Sequence, residues 1–326
     1  MPENNYVRGS SGPAETATRI NGYLERAMPL LTPFGVALGA LLPSVFIVLR
    51  PLIPWFFASI TLAGSLKLRA RELGKAASSP LPIFFFFSAA HIIMPVIVLF
   101  ISRFFFPDDP DTVSGYVLVY SVPTAVTGFI WVSIFRGDAA LSLALILLDS
   151  ILAPLVVPGT IRLLLGTSIT LDMNGMMVSL ILMVVIPTVM GVALNETSRG
   201  KIPAVVIPWL SPFSKICLVL MIASNAATVS GQIRPDNPKM WILMIGCVCF
   251  SALSFTIGKL IGLAARFEKE KQVTIFFASG LRNISAAMTL AIEFFPASAA
   301  LPAILGIMFQ QMIAAFMGRI QLGRND

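Results

Sequence analysis

Apolar residues in this chain fall into blocks long enough to span a membrane, and polar residues break two of these blocks at matching places. A span needs about 20 mostly apolar residues. Such blocks lie at about 28–45, 49–66, 80–106, 112–136, 138–165, 173–195, 207–231, 239–265, 271–295 and 298–320, which predicts ten transmembrane helices with no room between them for a soluble domain. The fourth block contains Ser121-Val-Pro-Thr-Ala-Val-Thr-Gly128 and the ninth contains Ala278-Ser-Gly-Leu-Arg-Asn-Ile-Ser285. A shift of about 155 residues superimposes the two breaks. It also brings Ile53-Pro54-Trp55 near Ile207-Pro208-Trp209 and Gly35-Val-Ala-Leu38 near Gly191-Val-Ala-Leu194. Paired interruptions at equivalent points of a duplicated membrane protein point to a transporter's binding site. A broken helix frees backbone N–H and C=O groups inside the bilayer, and only protein or a wet cavity can satisfy them.

Composition agrees with this pattern. The chain is 56% hydrophobic and 12% charged, with a mean hydropathy of +0.86, about half the charge of a soluble domain. The net charge of +7 does not mark a nucleic-acid binder, because the basic residues lie between apolar blocks and are not interleaved with aromatics. Cys217, Cys247 and Cys249 all fall in apolar stretches. Without a C-x-x-C pattern, and with one histidine, they read as buried thiols and not as a zinc site. The polar stretch up to Arg26 lacks the apolar core of a signal peptide and reads as a tail.

Loop charges set the expected orientation. With the N-terminus inside, the cytoplasmic segments hold Arg8, Arg19, Arg26, Lys67, Arg69, Arg71, Lys75, Arg136, Arg199, Lys201, Arg266, Lys269, Lys271, Arg319 and Arg324, and the outer ones hold Arg50, Arg103, Arg162, Arg234 and Lys239. Fifteen against five is a positive-inside bias with both termini cytoplasmic. Five spans per repeat is an odd number, so the second repeat must be inverted relative to the first. The expected division is a tail at 1–27, a first repeat at 28–165, a second at 166–320 and a tail at 321–326, in an all-α multi-pass protein of the cell's inner membrane.

The stretch Pro123-Thr-Ala-Val-Thr-Gly-Phe-Ile-Trp-Val-Ser-Ile-Phe-Arg-Gly-Asp-Ala-Ala-Leu-Ser142, with Ser150, Pro154 and Pro158 after it, resembles the fourth-to-fifth-span signature of the bile acid:sodium symporter family. Phe277-Ala-Ser-Gly-Leu-Arg-Asn-Ile-Ser-Ala-Ala287, with Ala300-Leu-Pro302 after it, resembles that family's ninth-span motif, and Ala90-His-Ile-Ile-Met-Pro95 its third-span stretch. The resemblance covers residues 30–320. It implies a panel of spans 1, 2, 6 and 7, a core of spans 3–5 and 8–10, and broken helices crossing near the midplane. It also implies a substrate cavity between panel and core, alternating access by rocking, and small organic anions as substrates.

Measured against that resemblance, the chain departs where the family holds sodium. A Ser-Asn pair is replaced by Gly128 and Phe129, a Glu by Ala278, a Gln by Arg282, another Gln by His91 and a Thr by Ile146, while Ser142 and Asn283 remain. Sodium needs hard oxygen ligands, and a guanidinium in a cation site would repel it. Arg282 therefore reads as a built-in substitute for one cation, always charged and offering five donors. Asp149 is its expected partner, seven residues after Ser142 on one face of span five. Such a pair is either structural or also meets a substrate carboxylate, and intramembrane charges count as functional by default. His91 is either a hydrogen-bonded core residue or, with Asp149, a route for proton coupling.

Substrate- and ion-binding candidates are Thr124, Thr127, Gly128, Ser142, Asp149, Ser279, Arg282 and Asn283. At each break a half-helix N-terminus is expected to present N–H groups to an anion. Ser285 carries the same argument at the second break, Ser224 and Asn225 are weaker candidates on the panel side, and Lys215 reads first as a snorkelling residue and only second as a cavity cation. Glu293 reads as interfacial, and Gln310-Gln311 as a bridge across the core. No catalytic set, metal cluster or phosphate-binding loop is present in the sequence, which argues against an enzyme or an ATP-driven pump. No cofactor is expected, and sodium is left open. The expected function is secondary transport of a small organic anion, either proton-coupled or uncoupled. The alternatives are a symporter with a reduced sodium site, or a channel- or sensor-like membrane protein. Substrate, direction and oligomeric state are not fixed by the sequence.

Overall fold

The computed structural model describes residues 13–71, 74, 80–166, 171–233 and 236–323. Arg8, Lys75, Arg234 and Arg324 of the charge tally lie outside them, as do residues 1–12 and 324–326 of the expected tails. The described residues are helical, with a single isolated bridge and no strand. In chain order the helices are α1 Pro13–Leu41, α2 Pro43–Ser65, α3 Pro80–Phe105, α4 Pro110–Ser121, α5 Gly128–Ile134, α6 Ala139–Leu165, α7 Met173–Thr197, α8 Lys201–Thr228, α9 Pro238–Ala264, α10 Lys269–Gly280, α11 Ile284–Phe294 and α12 Ala297–Leu322.

Seven of these (α2, α3, α6, α7, α8, α9 and α12) are long and apolar enough to cross a membrane. Helix α1 is apolar only from Leu30 to Leu41, and its first part takes up the stretch expected as a tail. Helices α4 and α5, and α10 and α11, are the two halves of the interrupted blocks.

Local chemistry sets the ends of these helices. Asp109, Asp138, Asp172, Asn237 and Asn283 cap α4, α6, α7, α9 and α11 by accepting backbone N–H bonds, satisfying donors that a helix start otherwise leaves free. Asp109 also pairs with Lys239 at 2.6 Å, which ties the start of α4 to the start of α9. Burial works to raise the Asp109 carboxyl, but Lys239 and Thr112 outweigh it and hold it below the usual carboxylate range. Arg136, Arg199 and Arg266 adopt left-handed backbone (φ 58, 51 and 53) just past α5, α7 and α9, at the end expected to face the cytoplasm. A cation in that position complements the negative end of the helix.

Helix α1 packs along α8, and α2 packs against both α7 and α8. On the other side α9 packs on α10 and α12, α3 on α4, and α6 against α4, α5 and α10. The main core includes Val117, Leu118, Val157, Leu243, Leu290 and Ile304 of this second group, all fully buried, and continues into the first through Phe57, Leu180, Met221 and Ile222. The α1–α8 contact is made by small residues, with Gly35 and Gly39 facing Ile222, Ala223 and Ala226. Lipid is as apolar as leucine, so close backbone approach drives such pairing. A side chain at Gly39 would collide with the Ala223 carbonyl. Gly39→Val is expected to destabilise the protein by about 1–3 kcal/mol, read as a fall in the thermal midpoint in detergent, while Gly22→Ala, with open space around its Cα, leaves the midpoint near wild type.

Candidate functional site

The two breaks lie against each other. Helix α4 stops at Ser121 because Pro123 follows. Val122 is extended (φ −66, ψ 158), as a residue before proline tends to be. Helix α10 stops at Gly280, over which the Phe255 ring packs so closely that a side chain there would overlap it. Leu281 then runs extended (φ −100, ψ 102).

These extended pieces pair antiparallel, with Thr124 opposite Arg282. Ala125 N–H donates to the Leu281 carbonyl at 2.9 Å, and Asn283 N–H to the Pro123 carbonyl at 2.8 Å. The Thr124 hydroxyl lies between the carbonyls of Ala278 (2.8 Å) and Leu281 (3.0 Å). Ser254 Oγ donates to the Ser279 carbonyl at 2.8 Å, and Gln310 Nε2 to the Arg282 carbonyl at 2.5 Å. The backbone that the second break frees is thus met from within the chain.

Charge is concentrated at the same point. Arg282 is 1% exposed. Its Nη2 donates to the carbonyls of Ala90 and Tyr120, both at 3.1 Å, while Nε and Nη1 have no hydrogen-bond partner. Tyr120 is in the last turn of α4, where carbonyls carry the negative end of the helix dipole. Ala90 lies in a π-helical turn of α3, Ser88–Ile93, which also carries His91. Such turns are frequent at functional sites.

Asp149 is fully buried, and both of its oxygens are occupied. Oδ1 is 2.8 Å from His91 Nε2, and Oδ2 accepts from Thr124 N–H at 2.7 Å. The His91 ring stacks on Phe87 (5.3 Å, 27°).

This arrangement corrects two expectations. Arg282 sits at the crossing, as expected, but it makes no direct ion pair with Asp149. The carboxylate is already held by His91 and the Thr124 N–H, and the guanidinium acts on it only through space. The N–H groups at the start of α5 are also not free for an anion. Gly128, Phe129 and Ile130 donate to the carbonyls of Ala125, Val126 and Thr127 in a tight turn.

The other sequence candidates are divided between the crossing and its surroundings. Ser279 is buried at the crossing, and its hydroxyl lacks a partner. The Asn283 side chain caps α11 through Ala286 N–H (3.3 Å). Ser142 is buried on α6 but makes no hydrogen bond to either break. Thr127 lies at the edge, where its hydroxyl accepts from Gln311 Nε2 at 3.4 Å. Gln310 and Gln311 do bridge the core. The roles of Ser254 and Trp131, which donates to Gln311 Oε1 at 2.8 Å, were not anticipated, because neither residue is unusual in an apolar helix.

Two cavities open in the protein, and the first reaches the first break at Val126 and Thr127. One, of about 490 Å³, is lined by Met28, Ile60, Lys67, Thr127, Trp131, Lys215, Leu218, Gln311 and neighbours. The other, of about 540 Å³, is lined by Arg50, Pro51, Asn225, Thr289, Ile292, Glu293 and neighbours. They lie toward opposite ends of α2, the first at Ile60–Lys67 and the second at Ile47–Pro54, and on α8 the first meets Ser211–Leu218 in the middle and the second Asn225 near the end. Both fall between the α1, α2, α7, α8 group and the rest. Glu293, expected to be interfacial, lines the second cavity and accepts from Ser179 Oγ at 3.0 Å. Asn225 and Ser224 are fully buried with unpartnered side-chain polar atoms.

The sequence profile described as the Sodium Bile acid symporter family matches residues 54–234. Among curated proteins, Bacillus subtilis "Uncharacterized protein YbaS" is 38% identical over 291 residues, covering 89% of this chain and 95% of that one. A rice "Probable sodium/metabolite cotransporter BASS3, chloroplastic" is 27% identical over 248 residues, 75% of this chain and 57% of that protein's length. The "Uncharacterized sodium-dependent transporter YocS" of Bacillus subtilis is 23% identical over 268 residues, 81% of each.

The Thr124 hydroxyl is the cross-break contact most open to test. Thr124→Val leaves the Ala278 carbonyl unmet in a buried site, a cost of about 1–3 kcal/mol, whereas Thr124→Ser keeps the bond. Thermal unfolding in detergent is expected to separate the two, with serine near wild type and valine well below it.

Proposed function

The chain belongs to the sodium bile acid symporter family, and on that premise we propose that it is a secondary transporter of a small organic anion that works without bound sodium. The family is one of membrane transporters, not enzymes. In the proposed architecture α1–α12 form ten spans in two inverted five-helix repeats. Helices α1, α2, α7 and α8 make the panel, and α3–α6 with α9–α12 make the core. Rocking of panel against core would open the two cavities in turn. The packing of the helices into two groups, with a cavity at each end of their seam, supports this reading.

The observation that carries the cation argument is the Arg282 guanidinium on the Ala90 and Tyr120 carbonyls. Carbonyl oxygens at a helix end and in a π-helical turn are what a bound cation would seek, and here a permanent cation of the chain already holds them. Coupling to protons then rests on His91 and Asp149. Their pair is linked to the first break through Thr124 N–H and lies within the field of Arg282. A proton carried with a monocarboxylate keeps the cycle electrically neutral. A sodium-coupled cycle is the second reading, favoured by the names that the rice and YocS relatives carry.

Uptake of a panel of organic acids into proteoliposomes tests both readings. The expected result is saturable uptake with counterflow, unchanged by an imposed sodium gradient. One pH unit supplies about 1.4 kcal/mol per proton, or about tenfold accumulation at one proton per anion. His91→Ala and Asp149→Asn are expected to flatten the pH profile. Uptake that follows the sodium gradient overturns the reading, and flux without counterflow indicates a channel.

A further inference from the structure

Helix α1 changes character at its middle. Residues 30–41 are apolar and are held on α8 by close packing, with Gly35 and Gly39 against Ile222, Ala223 and Ala226. Residues 13–28 are polar, and among their described side chains Ala17 is the one that is buried. The tie between this half and α8 is polar instead. Lys215 Nζ donates to Asn21 Oδ1 at 2.5 Å and lies 3.1 Å from Glu25 Oε1, to which Asn21 Nδ2 also donates at 3.1 Å. The Glu25 side chain is 45% exposed. Few buried apolar contacts and exposed polar bonds mark segments that open locally at low cost.

The junction between the halves can bend. Positions 29 and 33 are both proline. Neither has a backbone N–H, so the carbonyls of Glu25 and Pro29 lose their helical donors. The Thr32 hydroxyl donates to the Met28 carbonyl at 3.0 Å, a back-bond that often bends helices. Prolines inside a helix are where sharp kinks form.

The polar half stands beside the 490 Å³ cavity. Glu25 and Met28 form part of its wall, together with Lys215 and Leu218 of α8 and Gln311 and Met312 of α12. Helix α1 packs along α8 in one helix group and also touches α12 in the other, so it bridges the seam in which the cavity lies.

We propose that residues 13–28 are a lid on this cavity, hinged at Pro29 and Pro33 and latched to α8 by Lys215 through Asn21 and Glu25. Closed, as here, the lid is part of the cavity wall. Open, it swings away while the apolar half of α1 stays on α8. Hinge and latch stand on the geometry of α1, and their place in alternating access rests on the transport reading.

Double electron–electron resonance in nanodiscs tests the lid, with spin labels at Thr16→Cys on α1 and Val205→Cys on α8, both exposed positions. A Cys249→Ser background suffices, because Cys217 and Cys247 are buried. Thr16 lies about 20 Å along the helix from Pro29, so a kink of about 20° moves its label by about 7 Å. Wild type is expected to show one main distance. Glu25→Gln and Asn21→Ala loosen the latch with Lys215 in place, and each is expected to raise a longer-distance population about two- to fivefold. Adding Pro29→Ala and Pro33→Ala to Glu25→Gln stiffens the hinge and is expected to suppress that population. Leu218→Cys, in the cavity wall, is expected to react with a membrane-impermeant maleimide about two- to fivefold faster when Glu25→Gln is present. An unchanged distance distribution in Glu25→Gln, a longer population that survives the proline substitutions, or unchanged labelling at position 218 overturns the proposal. Lid opening in protein that shows no counterflow would sink the transport reading and leave the lid standing.

Discussion

A backbone group freed inside lipid must be bonded by the protein, and in this chain the two breaks satisfy one another. Proline at 123 and the crowding at Gly280 interrupt α4–α5 and α10–α11. The extended residues that result pair across the gap as the shortest possible antiparallel bridge. In water such a bridge would be negligible, but in hydrocarbon each unmet group costs several kcal/mol. The bridge therefore fixes which four half-helices meet and brings Arg282, Asp149 and His91 to one place.

The charges follow from that geometry. The end of α4 at Tyr120 and the π-helical turn of α3 at Ala90 each turn a carbonyl inward, and a guanidinium can satisfy both without leaving the chain. Its planar fork suits this better than an ammonium would. Asp149 balances the region without touching Arg282, because its oxygens are held by His91 and Thr124. A titratable pair, a permanent cation and the hydrogen-bonded break thus form one contiguous buried network. Away from it, Lys215 pairs with Glu25 on the wall of the 490 Å³ cavity. In the proposed cycle the crossing moves protons and the cavity holds the anion.

Much of this could be read from the residues. The apolar blocks, Pro123 and Gly280 located the breaks, because the hydrophobic period and helix-breaking chemistry are local properties. Gln310 and Gln311 stood out as amides in an apolar helix and do bridge the core. The partner of Asp149 was less legible. Arg282 was the expected partner, and His91 takes its place from a π-helical turn in α3 that leaves no period in the sequence. The free N–H groups expected at Thr127–Gly128 failed for a similar reason, since the tight turn after Ala125 consumes them. Lys215 read first as a snorkelling residue, and only the fold of α1 over α8 brings Asn21 and Glu25 to it.

The central claim is that a side chain of the protein already fills the cation position at the crossing. Thermal unfolding of the purified protein in sodium chloride, compared with choline chloride at equal ionic strength, tests it most directly. Superimposable curves are the predicted result. A sodium-specific rise would contradict the claim, and by linkage a resident site at a hundredfold excess over its Kd would add about 2.7 kcal/mol.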